Sequence, residues 1–169
     1  MLYLGIIAAI FSLEFVIKTI VEKNGKTGVT KSVCNGKILL RKHHNKGFAL
    51  NKGQKRPQMV AVVSFLLCLL ITVFALLTGG RYNSMVKTGL SVMLGGAYSN
   101  MYDRLFRNYV VDYVSIGVKN KKLRRVVFNI ADVCIMIGAI LVIMGGIGHE
   151  NIGKGQICGE SDGGFGGSQ

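Results

Sequence analysis

Three long apolar runs and a fourth, more interrupted one divide this chain into pieces of about membrane thickness, and that spacing constrains the fold more than any other feature. A helix needs about 20 apolar residues to cross a hydrocarbon core. The runs at about 2–21, 58–78, 84–101 and 126–147 meet that length or approach it, so four transmembrane helices are expected. The third carries Lys87, Ser91, Ser99 and Asn100, but Ser91, Gly95 and Ser99 recur every four residues and would let a neighbouring helix come close. A span inside the bundle fits that pattern. Met1 leads straight into the first run without a basic leader, and Glu14 and Lys18 sit within it, so the first helix is expected to stay rather than be cleaved.

Between these runs the chain is strongly basic. Lys and Arg outnumber Asp and Glu by 21 to 8, while half of the residues are hydrophobic. A soluble nucleic-acid binder could share the net charge of +13, but it would have no use for repeated apolar runs of spanning length. Membrane lipids with anionic headgroups are the expected partners of the basic loops, and nucleic acid is not. The segment between the first two spans is rich in Lys, Gly and Asn, and Asn35-Gly36 marks a turn beside an apolar stretch. A small β-rich platform on the membrane surface, between helices 1 and 2, is predicted there. The 22 residues after Ile147 hold eight glycines and read as a disordered tail, leaving 1–147 as the membrane domain.

Metal and nucleotide chemistry find no foothold. Cys34, Cys68, Cys134 and Cys158 form no CxxC pair, and the adjacent His43 and His44 lack a Cys or acid at ligand spacing. No cofactor and no metal are expected. Carboxylates are the remaining chemistry: Asp103 at the end of the third run, Asp112 in YVVDY, and Asp132 at the start of the fourth. An acid at the edge of hydrocarbon is costly and is a functional candidate by default. Asn100, Asp103 and Arg104 share one face of a helix end. Asn129 and Asp132 are also three apart, where a helix dipole favours an anion. Asp112 lies in a segment that could re-enter the membrane boundary.

Each of these residues also has a structural reading. Asp103 can be a salt-bridge partner of Arg104 or Arg107, Asn129 a helix cap, and Asp132 a dipole partner. Glu14 and Lys18, four apart, can neutralise each other inside the membrane. Asp112, amid valines and aromatic residues, has no obvious local partner.

GGAYSNMYDR (95–104) followed by YVVDY (109–113), FNIAD (128–132), NKGFA (45–49) and Glu14-x-x-x-Lys18 resemble, in order and spacing, the motifs of the lipoprotein signal peptidases, or signal peptidase II. That resemblance implies an aspartic endopeptidase of the bacterial cytoplasmic (inner) membrane. Its substrate would be a prolipoprotein signal peptide, cut on the N-terminal side of a diacylglyceryl-modified cysteine. It further implies Asp112 and Asp132 as the catalytic pair, Asn45, Asn100, Arg104 and Asn129 as substrate-binding residues, and Glu14, Lys18, Gly47 and Asp103 as their support. The family usually has Asp where this chain has Glu14, which moves the charge by about one carbon–carbon bond. A monomer is expected.

Two expectations conflict. The segment 22–57 holds ten Lys and Arg and 103–125 holds seven, so the positive-inside rule would keep both in the cytoplasm. The resemblance implies that the active site faces outward, where lipidated precursors emerge, and that orientation is the one adopted here. The rival class is a non-catalytic paralogue, or a small transporter or assembly subunit with structural acids, which would place its acids near the midplane rather than at one interface.

Overall fold

The computed structural model describes residues 1–48, 53–78, 82–124 and 126–158, except for the side chains of Thr78, Lys121, Lys122 and residues 148–158. Four long helices dominate: α1 (Leu2–Asn24), α2 (Pro57–Thr78), α3 (Ser84–Tyr102) and α5 (Ile130–Cys158), with a short α4 (Lys121–Arg124) before the last. Segments of α1, α2 and α5 are long and apolar enough to cross a membrane, namely Leu2–Asn24, Pro57–Leu77 and Ile130–Ile147. Among the described residues the fold is thus mostly helical with three candidate spans, and α3 is the helix that they surround.

The burial pattern is inverted relative to a water-soluble bundle. Nine of the 19 residues of α3 are buried, whereas α1 buries only Glu14 and Lys18 and leaves Leu2, Leu4, Leu13 and Val16 exposed. Apolar side chains need no burial against protein when hydrocarbon is the solvent, so the interior is left to polar groups and close backbone contact. Gly95 of α3 lies against α1, where an added Cβ would stand 2.9 Å from Ile10 Cβ. On the other side, Gly89 faces α5 with Gly138 opposite it, and a Cβ on either would meet the partner's carbonyl oxygen within 3 Å. Small residues of α3 therefore serve two neighbours.

The platform is a three-stranded antiparallel sheet in the order β1 (Thr30–Val33), β2 (Ile38–Asn45), β3 (Val110–Ile116). The β1–β2 turn has Cys34, Asn35 and Gly36 at positive φ, which suits the Asn-Gly pair that marks it. The third strand corrects the sequence reading in two ways. The platform is not confined to the segment between helices 1 and 2, and Asp112 lies on a sheet strand rather than in a re-entrant loop. The chain reaches β3 through a five-residue π-turn, Asp103–Arg107, that ends at Asn108 in the left-handed region.

Two boundaries also move. The expected span at 126–147 begins as a helix only at Ile130, because Phe128 is bonded to β3 instead: Phe128 N donates to Val114 O at 2.8 Å and Phe128 O accepts from Val114 N at 2.9 Å. Of the Gly-rich tail, 148–158 fall within α5 and 159–169 lie outside the described residues.

Candidate active site

The bond between Phe128 and Val114 sets the site, because it holds the next residue, Asn129, beside the strand that carries Asp112. Asn129 is fully buried and reads three elements at once. Its Nδ2 donates to Asp112 Oδ1 at 2.8 Å and to Asn100 Oδ1 at 3.2 Å, and its Oδ1 accepts from Asp132 N at 2.9 Å. Asp132 Oδ2 accepts in return from Asn129 N at 3.1 Å. That reciprocal pair is a capping box, so both structural readings of FNIAD hold: Asn129 caps α5 and Asp132 sits in its first turn. One oxygen of Asp132 remains for other work, and Oδ1 accepts from Asn100 Nδ2 at 2.8 Å.

Asp112 is 2 % exposed. Its Oδ1 is held by Asn129 and its Oδ2 accepts from Asn45 Nδ2 at 3.1 Å, so the residue without an obvious local partner has two distant ones. Burial, together with the negative charge of nearby Asp132, pushes its carboxyl up to about 7, against the pull of Asn45, Asn129 and Lys18. The pair thus comes from two elements, a strand and a helix start, and is joined through the amides of Asn129 and Asn100.

Asn45 ends β2, and its Oδ1 accepts from Gly47 N at 2.9 Å, an Asx turn that fixes the amide with its NH2 toward Asp112. Gly47 O in turn accepts from Arg104 Nη2 at 3.2 Å, while Arg104 Nη1 donates to Asn100 O at 3.3 Å. Arg104 therefore ties the turn after β2 to the end of α3. Its Nε is buried without a hydrogen-bond partner among the described residues.

Behind this layer stands Lys18, 1 % exposed. Its ammonium donates to Asn100 Oδ1 at 2.7 Å and Ser99 Oγ at 3.0 Å, and pairs with Asp103 at 3.2 Å and Glu14 at 3.4 Å. Asp103 also pairs with Arg107 at 3.3 Å and accepts from Val111 N at 3.2 Å, which anchors the π-turn to β3. Glu14 reaches further than its pairing with Lys18 suggests: its Oε1 accepts from Tyr113 OH at 2.6 Å, and that hydroxyl also accepts from Ile130 N at 3.3 Å. Tyr113 was not singled out from the sequence. As a strand neighbour of Asp112 it looks like packing, and only the helix start brought against it reveals the bond. Ser99 was read only as a small packing residue. His44 pairs with Glu22 at 2.9 Å and stacks on Tyr109 at 4.0 Å between ring centroids.

All ten residues singled out from the sequence thus fall in one connected network at one end of the bundle. The chain matches the family described as signal peptidase (SPase) II over residues 6–147. It is 28 % identical over 153 residues to a lipoprotein signal peptidase of Lactiplantibacillus plantarum, covering 90 % of this chain and 99 % of the relative. Its fold is similar to that of a bacterial membrane enzyme solved in meso at 2.3 Å, with a TM-score of 0.74, 20 % identity, and coverage of 99 % of this chain and 94 % of that one. A second bacterial membrane enzyme, solved in meso at 1.9 Å, gives a TM-score of 0.70 at 23 % identity, covering 84 % and 90 %. With a family match across 6–147 and apolar helices of spanning length, this chain belongs to the signal peptidase II family of membrane proteases.

Proposed function

We propose that the protein is an aspartic endopeptidase that removes signal peptides from diacylglyceryl-modified prolipoproteins, cutting on the N-terminal side of the lipidated cysteine. The observation that carries this reading is the joined pair, Asp112 on Asn129 Nδ2 and Asp132 on Asn100 Nδ2, with Asn129 and Asn100 bonded to each other. Two nearby carboxyls cannot both ionise cheaply, so one keeps a proton while the other stays charged.

Asp112 is the acid of the pair. It is the more buried, and its carboxyl is raised to about 7. Asp132, at the helix start and with N–H groups on both oxygens, is the base. In the first step Asp132 takes a proton from water as the water oxygen bonds to the scissile carbonyl carbon, and Asp112 gives its proton to the carbonyl oxygen. In the second, the proton on Asp132 passes to the amide nitrogen as the C–N bond breaks, and Asp112 recovers its proton when the carbonyl re-forms. The reaction needs no metal and no organic cofactor. Asn45, Arg104 and Asn100 line the approach and hold the peptide backbone in reach, while Glu14, Lys18, Gly47 and Asp103 fix those three.

The membrane placement completes the reading: α3 crosses with the three apolar helices, making four spans, and the protein acts as a monomer in the cytoplasmic membrane with its dyad at the outer face. Residues 1–147 form the peptidase domain and 148–169 a tail outside it. Incubation of the purified protein with a diacylglyceryl-modified prolipoprotein tests the function. Release of the signal peptide is expected from the lipidated precursor and from neither Asp112→Asn nor Asp132→Asn; a fully active Asp variant would refute the dyad.

A further inference from the structure

A concave site lies where α1 leaves the apolar zone and meets the hairpin. It is a groove of about 660 Å³. Its floor is apolar: Ile17, Ile20 and Val21 from the last turns of α1, with Leu40 from β2. Ile20 and Leu40 remain 52 % and 40 % exposed, so protein does not cover that floor. Its rim is cationic, with Lys26, Lys31 and Arg41 beyond the end of the span, and no acid lines it.

Those cations are not spoken for. Lys42, also in the groove, is neutralised by Glu22 at 2.9 Å, but Lys26 and Lys31 form no ion pair among the described residues. Arg41 Nη2 donates to Arg124 O at 2.6 Å, while its Nε is buried with no hydrogen-bond partner among the described residues. A buried donor without an acceptor is costly, and a guanidinium beside two ammonium groups calls for an anion. The apolar floor calls for hydrocarbon. A soluble anion would leave the floor bare, and a zwitterionic headgroup would bring its own ammonium against the rim.

The geometry points to a binding site for one anionic glycerophospholipid, its phosphate on Arg41, Lys31 and Lys26 and the start of an acyl chain on Ile17, Ile20 and Val21. The site spans the boundary between hydrocarbon and headgroups because its floor belongs to a membrane helix and its rim to the platform. A bound lipid would also brace the hairpin against α1, since Tyr113 of β3 lines the same groove. It offers the cations on the platform side a partner in the membrane they face, whichever leaflet that is.

Native mass spectrometry of the full chain in detergent, with equimolar dioleoyl phosphatidylglycerol and dioleoyl phosphatidylcholine, tests this. Retention of one phosphatidylglycerol is expected, favoured at least about tenfold over phosphatidylcholine, since three basic residues face the anionic headgroup. Lys26→Gln with Lys31→Gln, both exposed and without bonds to lose, should cut that preference at least threefold. Adding Arg41→Gln should abolish it. Lys37→Gln with Lys119→Gln removes two exposed charges outside the groove and should leave it unchanged. Equal retention of the two lipids by the parent, an equal loss in the Lys37 and Lys119 control, or displacement of the lipid by equimolar sn-glycerol 3-phosphate would each overturn the proposal.

Discussion

Lys18 holds Asn100 by its amide oxygen at 2.7 Å, and that single contact decides which way the amide faces. With Oδ1 turned to an ammonium, Nδ2 must point to Asp132, where it donates at 2.8 Å. A charge on α1 thus orients a donor on α3 toward a carboxylate on α5. The sequence reading, which paired Lys18 with Glu14, captured the neutralisation but not this task.

Separating the two roles of Lys18 takes two variants. Lys18→Met alone leaves Glu14 and Asp103 buried without their shared cation, and loss of one partner of a buried ion pair costs about 3–5 kcal/mol. Glu14→Gln with Lys18→Met removes one charge of each sign, keeps an acceptor for Tyr113 OH, and leaves Asp103 on Arg107. Thermal unfolding should show most of the stability regained. Turnover should stay down by about tenfold, the scale of one lost orienting hydrogen bond, with KM little changed. Parental turnover in the double variant would show that Lys18 only balances charge.

For the dyad, Asp112→Asn and Asp132→Asn should each reduce turnover by a factor of about 10² to 10⁴ or more, since neither proton transfer has a substitute. Both proteins should still be recovered folded from the membrane. Asp103→Asn should instead lower the melting temperature more than the rate, because it releases Lys18, Arg107 and the β3 backbone together. Initial rates on lipidated precursor alongside melting curves distinguish the two patterns.

The raised carboxyl of Asp112 makes a signed prediction about pH. In the proposed mechanism its acid form is the proton donor and is lost as pH rises through about 7, so kcat/KM should fall on an alkaline limb near that value. Stability moves the same way. Because the folded pKa lies above the ordinary 3.8, the folded state binds more protons than the unfolded state between those values, and stability declines as pH rises through that window. Asp112→Asn lacks that titrating group. Between pH 5 and pH 8 the melting temperature of the variant should gain on that of the parent; a constant difference would mean that Asp112 does not titrate there.

Arg104 should act on binding rather than on the proton transfers. Replacing it by Ala cuts the tie to Gly47 O and removes the unpaired Nε donor, so KM should rise by about tenfold with turnover kept within a few-fold. Hydrogen exchange at 45–48 should quicken at the same time. A change in turnover alone would place Arg104 among the groups that act on the transition state instead.

Orientation can be read from Cys34, which is exposed in the hairpin turn, whereas Cys68 and Cys134 lie within the apolar helices. A membrane-impermeant maleimide added to intact cells should label the parent and lose that label in Cys34→Ala. Labelling that is unaffected by Cys34→Ala, or that at Cys34 needs permeabilised cells, would place the platform in the cytoplasm, as the distribution of Lys and Arg suggests.

Local sequence settled everything that depends on neighbours along the chain. Apolar runs of spanning length specified the helices, Asn35-Gly36 the hairpin turn, and Asn129 with Asp132 the reciprocal cap that starts α5, because helix length, turn chemistry and capping act over a few residues. The same motifs marked the site residues by type and by resemblance. What the tertiary structure decided was contact between distant segments: that 110–116 is the third strand of the platform, that Tyr113 reaches Glu14 across 99 positions, and that Lys18 turns the amide of Asn100. A strand of valines reads alike in a loop, a sheet or a membrane edge until a partner supplies its hydrogen bonds. A buried amide, likewise, has no preferred face until the charge that holds its oxygen is in place.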